Sequence, residues 1–80
     1  MRIEYDPEAR AVYVHVAEGE HARTVEVEPL KIYVDVDDEN RTLGVEFLSW
    51  DAFQRYIGEH GGLNVPEHFA GPQSLVPVPA

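Results

Sequence analysis

The chain has 80 residues, a formal net charge of −9 and no cysteine. Its length predicts one small domain, and since it has neither disulfides nor a Cys/His zinc pattern, we expect it to gain stability as a homodimer or higher homo-oligomer. Fifteen acidic residues against six basic ones disfavour direct binding to nucleic acid or membranes. The same charge favours solubility, or attraction to a basic protein or a cation.

The amino-terminal residues contain no apolar segment of the kind that opens a signal peptide. No apolar run approaches the ~20 residues that a helix needs to span a bilayer. The absence of cysteine fits a reducing compartment. Together these features predict a soluble, cytoplasmic protein.

Five segments alternate apolar and polar residues with the period of two that is typical of a half-buried strand. They span residues 1–5, 11–17, 24–28, 32–36 and 43–48. Short turn sequences separate most of them, and parallel strands would need long crossovers. The pattern therefore predicts an antiparallel β-meander.

A helix is predicted after the fifth strand, with Ser49 as its N-cap and the glycine pair at 61–62 as its end. Its apolar residues recur at helical spacing and form one stripe: Trp50, Phe53, Tyr56 and Ile57. One helix packed on the apolar face of the sheet buries both surfaces, which predicts an α+β domain over residues 1–70. Residues 71–80 are rich in proline and are predicted to form an extended tail.

The opposite face of the sheet is predicted to carry the polar and aromatic residues of the strands. Tyrosine is enriched in interfaces, so this face is a candidate surface for a dimer or a partner, although ordinary solvated faces carry the same residue types. A histidine beside a carboxylate also permits acid/base chemistry. The interface candidates are Tyr13, His15, Tyr33, Asp35 and Glu46. The remaining histidines show no metal-binding spacing and are interpreted as surface residues: His21, His60 and His68.

An acidic turn partly satisfies the calcium-loop template. Asp35, Asp37 and Glu39 occupy the first, third and fifth positions, and Glu46 occupies the twelfth. However, Asn40 stands where the template needs glycine, and Glu46 belongs to a predicted strand rather than to an exiting helix. A hairpin tip needs such residues for solvation and turn geometry in any case, so a metal site is not predicted here. The chain also lacks a phosphate-binding glycine loop, and no cofactor is predicted.

Three motifs resemble the bacterial family known as domain of unknown function 2283. They are Tyr5-Asp6-Pro7-Glu8-Ala9 with Ala11, Tyr13 and Val14; Val34-Asp35 with Asp37; and Leu43-Gly44-Val45-Glu46-Phe47-Leu48. The resemblance covers roughly residues 1–50. The chain departs from the family pattern at Leu30-Lys31, where a Pro-Gly-Val type of turn is common, and at Asn40, where glycine is usual.

The resemblance implies a small antiparallel β domain without assigned catalytic residues. We therefore expect an uncharacterised, non-catalytic protein–protein interaction module that self-associates through its outer-face tyrosines or a free sheet edge. Members of such families often lie beside genes for small ribonuclease-type toxins, which suggests an alternative role as an acidic, antitoxin-like regulator of a basic toxin. A second alternative is a weak cation-binding protein or small enzyme that uses the outer sheet face.

Overall fold

The structure is a computed structural model that describes residues 2–60 and 67–69. Its elements are β1 (Arg2–Asp6), β2 (Ala11–His15), β3 (Arg23–Glu28), β4 (Ile32–Val36), β5 (Thr42–Phe47) and α1 (Trp50–His60). The predicted α+β class, with five antiparallel strands and one C-terminal helix, is confirmed. The predicted tail at 71–80 lies outside the described residues, so the division of the chain near residue 70 stays a prediction.

The strand order differs from the simple meander that we predicted. The sheet runs β1-β2-β5-β4-β3, so β2 pairs with β5 rather than with the next strand in the chain. Every pair is antiparallel, and three of the four pairs still join consecutive strands. The exception is the β2–β3 connection, which crosses the ends of β5 and β4.

Linker length explains this difference. Residues 16–22 join β2 to β3, whereas three to five residues join each of the other strand pairs. Neighbouring strands lie ~4.8 Å apart, so the linker spans roughly 14 Å to reach the far edge of the sheet. The backbone N–H groups of Val16 and Ala17 donate to the Leu43 carbonyl, and that of Ala22 donates to the Val36 carbonyl. These bonds hold the linker against the end of the sheet.

The core lies between one face of the sheet and α1. Five fully buried valines and Phe47 line this face at alternating positions of β2, β4 and β5: Val12, Val14, Val34, Val36 and Val45. The Phe47 ring makes edge-to-face contacts with Phe53 and Tyr56 of the helix, with centroids 5.2 and 5.6 Å apart. The apolar alternation in the sequence is therefore the pattern that buries the sheet against the helix.

The helix begins as predicted at its serine cap. The Ser49 Oγ accepts a hydrogen bond of 3.0 Å from the Ala52 backbone N–H, and Asp51 lies in the first turn, where a negative charge complements the helix dipole. The apolar stripe is only partly buried, because Tyr56 is in the core whereas Trp50 at the start of the helix is 44% exposed. No helix within the described residues is long and apolar enough to cross a membrane.

The acidic turn between β4 and β5 is organised by Asp37. Its Oδ1 accepts the backbone N–H of Arg41 at 2.8 Å and that of Glu39 at 2.9 Å. The N–H of Arg41, together with that of Glu39 and the nearby Arg41 charge, holds the Asp37 pKa below its usual value. The Asp37 carboxylate therefore accepts hydrogen bonds from turn N–H groups that a backbone carbonyl would otherwise accept.

This lowered pKa predicts how stability responds to acid. An aspartate whose folded pKa is depressed stabilises the fold above its unfolded pKa of about 3.9, and that contribution is lost as the pH falls through the folded value. We expect Asp37→Asn to flatten the decline of the urea midpoint below about pH 4, relative to the parent protein. Glu39→Gln, in a more exposed side chain of the same turn, is the matched control. An equal change in both variants would contradict the role of Asp37 in the loss of stability at low pH.

Candidate functional site

The five predicted outer-face residues lie on the sheet face opposite α1, in two rows set by the strand register. In one row Glu46 of β5 lies between Tyr13 of β2 and Tyr33 of β4. In the other row Gly44 of β5 lies between His15 and Asp35, which occupy the same flanking strands. The non-sequential pairing of β2 with β5 is what brings residues 13 and 35 within reach of each other.

The Tyr13 side chain crosses β5 to reach Asp35. Its hydroxyl donates a hydrogen bond of 2.8 Å to Asp35 Oδ2. The phenol ring and oxygen pass directly over Gly44, where a Cβ atom would overlap them. Glycine in the middle of a strand is unfavourable unless something must approach the backbone closely, and here the tyrosine does so.

Asp35 is the centre of the hydrogen bonds on this face. Its Oδ1 accepts the Thr24 hydroxyl at 2.6 Å, and His21 Nε2 lies 3.4 Å from the same oxygen. Burial, followed by the hydrogen bond to Asp35 and its charge, raises the pKa of Tyr13 well above its usual value. The phenol therefore stays protonated and remains a donor to this carboxylate throughout the physiological range.

His15 lies beside this network without joining it. Its ring contacts the Tyr13 ring edge-to-face, with centroids 4.5 Å apart. Its Nε2 lies 3.7 Å from Glu4 Oε2, which is beyond hydrogen-bonding distance. Within the described part of the chain this nitrogen is buried and has no hydrogen-bond partner. Buried polar atoms are normally satisfied, so this nitrogen is an exception on the outer face.

A cleft of about 510 Å³ opens at the end of this face, where the β2–β3 linker passes over the sheet. Gly19 of the linker packs tightly against Leu43, since an added Cβ would lie 2.8 Å from the leucine side chain. The polar lining comes from both sheet and linker, and includes Tyr13, His15, His21 and Asp35. Three of the five predicted residues, Tyr13, His15 and Asp35, therefore line this cleft.

The other two predicted residues lie away from this cleft. The Tyr33 hydroxyl donates a hydrogen bond of 3.1 Å to Glu26 on β3, the opposite edge of the sheet. Glu46 separates Tyr33 from Tyr13 on the central strand. The two tyrosines thus point to different carboxylates instead of forming one continuous aromatic surface.

The calcium-template residues do not converge. Asp35 and Glu46 belong to the outer face, Asp37 is held by its own turn, and Glu39 lies 3.5 Å from the Arg41 guanidinium. Among residues 2–60 and 67–69, no group of three or more histidine or acidic side chains is arranged to hold a metal ion.

Sequence reasoning missed three residues of this site. His21 was interpreted as a lone surface histidine, but its ring contacts Thr24 and Asp35. The sequence pattern places Thr24 in an alternating strand and predicts no role for its hydroxyl. Gly44 carried the clearest signal, because an isolated glycine within a strand pattern indicates close approach by another group.

A second surface feature is the free edge of the sheet at β1. All five residues of this strand are exposed, and among residues 2–60 and 67–69 β1 pairs only with β2. Ile3 is 56% exposed and Tyr5 is 45% exposed, on the sheet face that carries the core valines. The Tyr5 ring meets Trp50 edge-to-face, with centroids 5.7 Å apart. Together Ile3, Tyr5 and Trp50 form an exposed apolar patch, which we call the β1 patch.

The chain is thus a small α+β domain with a hydrogen-bonded polar face and an open apolar edge. Residues 2–49 match the family described as protein of unknown function (DUF2283). That match covers more than half of the chain and all five strands, and the chain belongs to this family, as its motifs predicted. The match ends before α1 begins. No curated protein and no solved structure matches the chain.

Proposed function

We propose that this protein is a non-catalytic interaction module that self-associates by pairing β1 with β1 of a second copy. The observation that carries the proposal is the β1 patch beside an edge strand that is exposed along its whole length. Exposed strand edges present unpaired backbone groups, and large exposed apolar side chains beside them favour association.

The other edge of the sheet is protected in ways that β1 is not. In β3 the pairing shifts register between Glu26 and Glu28, a bulge that distorts the edge. Val25 and Val27 on the same strand are partly buried and pack against the core cluster. A bulged strand that is partly packed into the core resists edge pairing. Of the two edges, β1 is the one that suits a second copy.

Charge along β1 favours one antiparallel arrangement. A two-fold axis at Ile3 would place Arg2 of each copy opposite Glu4 of the other, and Ile3 opposite its own counterpart. Opposite charges across a strand pair are stabilising, and like charges are destabilising. An axis at Glu4 would instead place the two Glu4 carboxylates opposite each other. We therefore propose pairing centred on Ile3.

The test is sedimentation equilibrium of the purified protein and two variants. We expect a species of twice the 9.0 kDa chain mass, and a tighter dimer at high salt, because salt screens the repulsion between two chains of net charge −9. Ile3→Lys is expected to raise the dimer dissociation constant by about tenfold or more, since it juxtaposes like charges at the axis.

Leu30→Lys is the matched control, because Leu30 is 79% exposed in the β3–β4 turn and undergoes the same chemical change. It is expected to leave the dimer intact. A protein that stays monomeric at millimolar concentration, or equal weakening by both lysine variants, would overturn the proposal.

The antitoxin-like alternative rests on the net charge of −9, which would attract a basic partner. It predicts that a basic protein co-purifies in stoichiometric amount from the native cell lysate. Salt separates the two roles, because screening weakens an acidic–basic complex and strengthens association of like-charged chains. Recovery of the chain with only itself would contradict the alternative.

A further inference from the structure

The cleft beside Asp35 is rich in hydrogen-bond acceptors, because its hydroxyl protons are already used. Tyr13 has one hydroxyl proton, and it is donated to Asp35 Oδ2. Thr24 also has one, and it is donated to Asp35 Oδ1. Both donors therefore hold the carboxylate in place and offer no proton to a bound molecule.

The same argument determines which nitrogen of His21 carries the proton. His21 Nε2 lies 2.9 Å from Thr24 Oγ1, whose proton is donated to Asp35. The threonine oxygen must therefore accept from Nε2, and in the neutral ring Nδ1 is left with a lone pair.

The charge of the cleft also favours a positively charged ligand. Its lining contains the carboxylates of Asp35 and Glu18 and one cation, Arg2, within a chain of net charge −9. A fixed carboxylate surrounded by acceptors is complementary to a positively charged group with several N–H donors. The volume of about 510 Å³ exceeds a single such group and leaves room for the stem that carries it.

From this arrangement we propose that the cleft binds a guanidinium or ammonium group, with Asp35 as its charged acceptor. The group would be carried either by a small amine or by an arginine or lysine of a protein partner. This site lies on the outer face of the sheet, whereas the β1 patch lies on the helix side, although Arg2 of β1 also lines the cleft.

The test is a titration followed by ¹H–¹⁵N correlation spectra at about pH 8. L-argininamide represents the small amine, and the capped tripeptide Ala-Arg-Ala represents the protein source. L-citrullinamide, in which an uncharged urea replaces the guanidinium and the rest of the molecule is unchanged, is the control for the guanidinium charge. We expect both arginine probes to shift the amides of Asp35, Gly44 and Gly19, and citrullinamide to leave them unchanged.

Asp35→Asn removes the acceptor charge with little change in shape and is expected to weaken binding by about tenfold or more. Glu26→Gln removes one charge from the same sheet face at a carboxylate that bonds Tyr33 outside the cleft, and is expected to leave binding within about twofold of the parent. Tighter binding of the tripeptide than of argininamide would assign the group to a protein partner, and the reverse order to a small amine. Equal shifts with citrullinamide, equal losses in the two variants, or no shifts at the cleft would overturn the proposal.

Discussion

Replacing Phe47 with alanine is expected to lower the free energy of unfolding by about 3–5 kcal/mol, the range for buried phenylalanines. Phe47 is fully buried and joins the two layers of the domain, because its ring contacts both Phe53 and Tyr56 of α1. Small domains are stable by only about 5–15 kcal/mol, so this loss is a large part of the total. Urea unfolding followed by tryptophan fluorescence measures the change, since Trp50 begins the same helix.

Two further variants show whether the effect comes from packing at this position. Phe47→Leu keeps most of the apolar volume and is expected to cost clearly less than alanine. Leu48→Ala alters the next residue, which is 37% exposed, and is expected to change stability by well under half as much as Phe47→Ala. Similar losses for Phe47→Ala and Leu48→Ala would contradict the structure of the core described above.

Replacing Gly44 with alanine is expected to destabilise the protein by about 1–3 kcal/mol, although glycine to alanine usually favours a strand. The added methyl group would occupy the space of the Tyr13 phenol, so the ring must move and its bond to Asp35 is lost. The outer face should then lose its central hydrogen bond while the valine core stays packed. Urea unfolding measures the stability, and the same variant has a second, spectroscopic readout.

That readout is alkaline titration of the tyrosines. Burial and Asp35 raise the Tyr13 pKa, so the folded phenol stays protonated where an unfolded one ionises, and stability falls as the pH rises above about 10. In Gly44→Ala we expect one more tyrosine to ionise near pH 10 in the folded protein, seen as tyrosinate absorbance, and a shallower alkaline loss of stability. An unchanged titration curve would contradict the placement of Tyr13.

Gly58→Ala is the natural control for this experiment. Gly58 lies in α1, and an added Cβ there meets no atom within 4 Å. Alanine is the better helix former, so this change is expected to stabilise the protein by about 0.5–1 kcal/mol. The two glycine variants should therefore shift the urea midpoint in opposite directions. Destabilisation by both would indicate a general intolerance of the chain instead of the specific contact at Gly44.

The two proposed surfaces lie on opposite faces of the sheet, and Arg2 of β1 adjoins both of them. The β1 patch is apolar and lies on the helix side of the sheet, so its pairing should strengthen with salt. The cleft is charged and lies on the outer face, so its binding of a cation should weaken with salt. Ile3→Lys and Asp35→Asn each alter one surface and leave the other as a control.

Local sequence patterns determined the elements of this protein. Alternating valines place one face of each central strand in the core, and Ser49 caps α1, because side-chain direction and capping depend only on near neighbours in the chain. Asp37 organises its turn for the same reason. The family could also be inferred from the sequence, since its motifs lie within the strands and turns of residues 2–49.

Only the tertiary structure decided which strands are neighbours, and with that the composition of the cleft. Alternation predicts a strand but carries no information on its partner, and the linker at 16–22 is long enough to carry β3 past two strands. Pairing of β2 with β5 brought Tyr13 over Gly44 to Asp35, and the linker brought His21 to the same carboxylate. These contacts join residues far apart in the chain, so they depend on strand order, which the period of the sequence does not encode.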